Sequence, residues 1–151
     1  MLLSVRTLLI GFFIAVLVGC ATPAQRLATP SGNPEIVIPN TTRKAVIDKI
    51  IAAKLEKGMQ VKSVNDYGVV VGKKVDGSFM ASFLYGSRYD STPEVRITYN
   101  VVETAGGVRV FSRTEMITNP GSAYERTSDV TQSLSSQMQS ELEQFKAALA
   151  K

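Results

Sequence analysis

The stretch Val95-Arg96-Ile97-Thr98-Tyr99-Asn100-Val101-Val102-Glu103, followed by Thr104-Ala105-Gly106-Gly107 and then Val108 to Thr118, decides the architecture. Val95, Ile97, Tyr99 and Val101 alternate with Arg96, Thr98 and Asn100, the period of two that gives a strand one apolar and one polar face. Thr104 to Gly107 turns the chain back, so two long antiparallel strands are expected. If the turn pairs Glu103 with Val108, Arg96 falls opposite Glu115, and the outer face carries charges of both signs.

Working outward, the same period covers residues 59 to 118. Met59 to Asn65 reads as a strand, Asn65-Asp66-Tyr67-Gly68 as a turn, and Gly68 to Lys74 as a β-branched strand. Asp76-Gly77 signals a tight hairpin into Phe79, Ala81, Phe83 and Tyr85, which alternate with Met80, Ser82 and Leu84. A helix flanks this region on each side. The first begins at Thr41 or Thr42, either of which can cap it, and ends near Lys57 with Gly58 as a left-handed stop. Val46, Ile47, Ile50, Ile51 and Leu55 form its apolar stripe, while Arg43, Lys44, Lys49, Lys54 and Lys57 read either as a solvated face or as a basic surface for anionic headgroups. The second helix starts at a Ser122/Glu125 capping box or at Ser128. Its stripe is Val130, Leu134, Met138, Leu142, Phe145 and Leu149, and its uncharged stretch from Thr131 to Ser140 reads as polar surface or as a partner-facing side.

The order helix, strands, helix, with short connections, predicts an α+β fold. It is a two-layer sandwich, an antiparallel sheet of four or five strands with an N-terminal and a C-terminal helix on one face. The element order is similar to that of helix-grip-like domains in outer-membrane assembly lipoproteins, without a shared motif.

Ahead of this domain, prolines at 23, 30, 34 and 39 deny helix and central strand, so residues 20–40 read as a tether. Ile36-Val37-Ile38 is the exception, apolar enough to dock as a short edge strand. Residues 1–19 have the form of a secretory signal, with Arg6 before an apolar run from Leu8 to Val18 that is short for a membrane span of about 20 residues. The run closes in Leu17-Val18-Gly19-Cys20, which resembles the lipobox of bacterial lipoproteins. The resemblance implies recognition at Leu17, Val18 and Gly19, cleavage before Cys20, and lipidation of that cysteine. It also implies sorting to the outer membrane, because Ala21 stands where retained relatives carry Asp. One globular domain, residues 41–151, then faces the periplasm.

Composition excludes much chemistry. One cysteine in 151 residues forbids an internal disulfide framework and multi-cysteine metal sites, and the absence of histidine removes the commonest base and metal ligand. No catalytic residue, cofactor or metal ligand is therefore assigned, and nucleic acid is not an expected partner of an exported, membrane-anchored chain with a net charge of +4. The expected function is a non-enzymatic binding or structural role toward another envelope component, foremost a protein. The alternatives are a binder of a small ligand or cell-wall fragment in a pocket between sheet and helices, and a hydrolase of serine–lysine type. The candidate binding loop is Tyr85, Arg88, Tyr89 and Asp90, joined by Tyr124 from a turn expected at the same end of the sheet, because Tyr and Arg dominate interface hot spots. The same loop also reads as a simple turn with Arg88 and Asp90 paired locally.

Overall fold

The computed structural model describes residues 27–75 and 92–149. The leader with Leu17, Val18, Gly19 and Cys20, the Asp76-Gly77 hairpin signal, the Phe79 to Tyr85 strand and the Tyr85, Arg88, Tyr89, Asp90 loop all lie outside the described residues.

The order is β1 (Glu35–Ile38), α1 (Arg43–Glu56), β2 (Gln60–Asn65), β3 (Gly68–Lys74), β4 (Glu94–Thr104), β5 (Gly107–Thr118), β6 (Arg126–Asp129) and α2 (Ser135–Leu149). All pairings are antiparallel, in the order β1-β5-β4-β3-β2, with β6 also on β5. The fold is the expected α+β sandwich, with six described strands. The β4–β5 turn pairs Glu103 with Val108, so Arg96 stands opposite Glu115, as the alternation requires.

The inner face holds Val69, Val71, Ile97, Tyr99, Val101, Val108 and Val110, packed against Val46, Ile47 and Ile50 of α1 and Met138 and Leu142 of α2. Both helices therefore bury their stripes on one face of the sheet. The α1 ends follow from local chemistry: the Thr42 hydroxyl accepts from the Ala45 N–H at 3.3 Å, and Gly58 takes φ +70° just past the end. Gly107 sits at φ +125° with its α-carbon against the Ile38 carbonyl, an approach that any side chain would block.

The stretch Ile36-Val37-Ile38 docks as the short strand β1, pairing Glu35 to Ile38 with Phe111 to Val108. Three expectations are corrected. Neither Ser122 nor Ser128 starts a helix. Residues 122–125 form a turn, and Arg126 to Asp129 pairs with Glu115 to Thr118, so α2 begins only at Ser135. Val130 is buried, as its stripe position implies, but ahead of the helix. Leu55 is 52% exposed, and Lys54, expected on the solvated face, is instead buried at 6%. Lys54 lies four residues after Ile50 and seven after Ile47, so helical geometry places it on the core stripe and leaves Leu55 at its margin.

The uncharged stretch of α2 also has a specific task. The Gln139 amide donates to the Glu35 carbonyl at 3.0 Å and accepts from the Glu35 N–H at 2.8 Å, holding β1 to α2. Gln132 donates to the Gly32 carbonyl at 3.1 Å, which fixes the segment ahead of β1.

Candidate functional site

The two helices converge at the C-terminal end of α1 and leave a cleft of about 210 Å³ above the sheet. Ile50, Ala53, Leu142, Phe145 and Ala148 give it apolar walls, and Tyr99 of β4 forms its floor. Tyr99 reaches this position because the β4 alternation turns it inward, beneath the α1 stripe. Tyr99 is 1% exposed, and its hydroxyl is buried without a hydrogen-bond partner among the described residues. An orphaned hydroxyl in an apolar setting costs about 1 to 3 kcal/mol.

Beside that hydroxyl lies a charged cluster. The Lys54 ammonium donates to Glu141 Oε1 at 2.8 Å and stands 5.1 Å from the centre of the Tyr99 ring. Lys57 donates to the same carboxylate oxygen, so two lysines share one counter-ion. A third, Lys73, donates to the Lys57 carbonyl at 3.1 Å and satisfies the end of α1. Burial pulls the Lys54 pKa below the usual lysine value, against the opposing pull of Glu141. Burial raises Glu141, but the hydrogen bonds from Lys54 and Lys57 outweigh it and hold that carboxyl below its ordinary value. Desolvation, with the Glu141 charge adding to it, pushes the Tyr99 phenol well above its ordinary range, so it stays a neutral donor.

A second concavity, of about 410 Å³, opens at the other end of α1 between Thr42, Ile47, Val64, Asp66 and Glu103. The Arg43 guanidinium stacks 4.6 Å from the Tyr67 ring at its rim, and Tyr67 is 63% exposed. Of the candidate binding-loop residues Tyr85, Arg88, Tyr89, Asp90 and Tyr124, the described part holds only Tyr124, which is 79% exposed on the turn after β5. That turn lies at the end of the sheet where β4 begins, since Glu94 pairs with Ile117.

The mixed-sign outer face is present with different partners. Arg96 meets Glu94 at 3.4 Å rather than Glu115, Lys62 meets the same Glu94 at 2.9 Å, and Arg113 bridges Glu115 at 3.6 Å and Asp129 at 3.1 Å. Gly72 makes this possible, because a β-carbon there would meet Glu94 Oε1 at 2.5 Å and Lys62 Cε at 2.7 Å.

The sequence offered one signal for the cleft. Lys54 falls on the Ile47, Ile50 stripe with Glu141 just before Leu142, so an ion pair between stripes was readable once the two helices were known to be adjacent. That adjacency was not in the sequence pattern.

Among the described residues no group of three or more His, Cys, Asp or Glu side chains is placed to hold a metal. Among them, too, no helix is long and apolar enough to cross a membrane. Comparison with family models, curated proteins and solved structures finds no match for the chain.

Proposed function

We propose that this chain is a membrane-anchored bacterial envelope lipoprotein with a non-enzymatic binding role, and that it binds an envelope component in the cleft above Tyr99. The orphaned Tyr99 hydroxyl at the floor of an otherwise apolar cleft carries the reading. A buried donor without an acceptor is unfavourable, and a ligand that supplies the acceptor removes that cost. The non-enzymatic part rests on the sequence, which holds no histidine and a single cysteine. Lipidation at Cys20, outer-membrane sorting through Ala21 and a periplasm-facing domain remain part of the proposal and rest on the leader alone.

Two experiments test it. Cys20→Ala should shift the protein out of the membrane fraction or leave it unprocessed, and a processed, salt-resistant membrane form would sink the anchor. A photo-crosslinking residue in place of Ala148, at the cleft mouth, should capture an envelope component in cells, and a clean blank there would remove the cleft. A protein partner docking at the Arg43–Tyr67 rim is the second reading, favoured by the exposed stacked pair and by Val64, 51% exposed beside it. Crosslinks from position 67 and none from position 148 would select it.

A further inference from the structure

We infer that the cleft component is a small monocarboxylate amphiphile, a single short apolar chain or ring ending in one carboxylate, an assignment that rests on the cleft being the binding site. Size sets the first bound. About 210 Å³ exceeds the roughly 150 Å³ that holds a benzene ring and falls short of the roughly 300 Å³ at which pockets for drug-sized ligands begin. One chain or ring fits, and a two-chain lipid or a sugar oligomer does not. The walls set the second, because Ile50, Ala53, Leu142, Phe145 and Ala148 reward apolar contact.

Charge and hydrogen bonding set the third. Among the residues that line the cleft, Lys54 and Lys57 bring two ammonium groups and Glu141 neutralises one charge, so the lining keeps one positive charge in excess, with Lys73 held outside it on the Lys57 carbonyl. Each ammonium has three hydrogens, of which Glu141 occupies one apiece, so donors remain for a further acceptor. The Tyr99 hydroxyl adds a donor already desolvated and unpartnered. One carboxylate answers both, accepting from the phenol with one oxygen and from an ammonium with the other. A neutral chain leaves the ammonium excess unanswered, a dianion exceeds it, and a cation is repelled by it.

The test uses the full lipidated chain in phosphatidylcholine nanodiscs, titrated calorimetrically with sodium octanoate, the heat of empty nanodiscs subtracted. Saturable binding of one octanoate per chain is expected, with octan-1-ol at least about tenfold weaker. Tyr99→Phe and Lys54→Met should each weaken octanoate by about tenfold or more. Tyr99→Phe keeps the ring that packs the core, so its thermal melt should match or exceed the wild type, which separates lost binding from lost folding. Absent saturation, equal affinity for octanol and octanoate, or an unchanged affinity in Tyr99→Phe would each overturn the assignment. Saturable binding that appears only in phosphatidylglycerol nanodiscs without octanoate would overturn it in favour of a membrane lipid. If octanoate fails while the position-148 crosslinker still captures a component, the chemistry is wrong and the cleft stands. If both fail, neither stands.

Discussion

The two faces of the sheet hold the same kinds of charged side chain and treat them differently. On the outer face every described carboxylate in the ladder has a cation beside it: Glu35 takes Arg109 at 2.7 Å, Glu94 takes Lys62 and Arg96, and Asp129 takes Arg113. Arg96 and Arg109 leave only a buried Nε over, each bonding through its Nη2 atom. Above the inner face Lys54 and Lys57 at the end of α1 pair with Glu141 of α2, yet the phenol beside them has no hydrogen-bond partner among the described residues. An ion pair between strands closes on itself, so it organises the sheet and offers no ligand a reward. A desolvated donor beside an incompletely neutralised cluster does offer one. Ser112 Oγ and Thr114 Oγ1 on β5 are buried and unpartnered among the described residues too but line neither cleft, so the site is marked by an orphaned hydroxyl that also faces a cleft and a lysine cluster.

Four measurements sharpen or break this contrast. Met138→Asp puts a carboxylate on the inner face away from the lysine cluster, and it should cost about 3 to 5 kcal/mol in urea unfolding, enough to lose the cooperative transition. A melt like the wild type would mean α2 does not bury that position. On the other face, Glu94→Ala strips Lys62 and Arg96 of a buried acceptor and should cost about 2 kcal/mol by the same method. If it is neutral, the ladder is decoration. Tyr99→Phe should move the opposite way, stabilising the protein by about 1 kcal/mol, because it removes a buried donor without a partner among the described residues. Destabilisation would show that the hydroxyl has a partner in solution.

The smallest effect is on acid sensitivity. Burial raises Glu35 and Asp129, but hydrogen bonds outweigh it, chiefly from Arg109 and Ser31 to the first and from Thr131 to the second. Both carboxyls sit below their ordinary values of 4.5 and 3.8, and Glu141 is shifted the same way. The unfolded chain then binds more protons than the native one, so the stabilisation is complete above the ordinary value and is lost as pH falls through the depressed one. The melting midpoint should fall on acidification below 4.5, and Glu35→Gln should flatten part of that fall. An unchanged acid limb in Glu35→Gln would place the effect on the other two groups.

Much of the fold was legible. The alternation from Val95 to Thr118 predicted its own register, and Thr42 and Gly58 marked α1 to within a residue, because these signals are local. β6 was missed because Arg126-Thr127-Ser128-Asp129 is exposed at every position and has no alternation to read. It is a strand only because the β5 edge beside it offers hydrogen bonds. The Ser122 and Glu125 pattern misled for a related reason, since Glu125 accepts from the Gly121 N–H within a turn at 2.7 Å and caps no helix.

The site was scarcely legible at all. Tyr99 read as one core residue among four on its strand, and Lys54 as one of five basic residues on a helix surface. By itself the sequence determined α1, the β4–β5 hairpin with its register and the likeness of its leader to a lipoprotein signal, all of which depend on neighbours within a few residues. Tertiary structure alone decided that Lys54 and Glu141, 87 positions apart, meet above Tyr99. Two helices can lie on a sheet face at several separations, and only side-chain packing between them sets whether a phenol is covered or left facing a cleft.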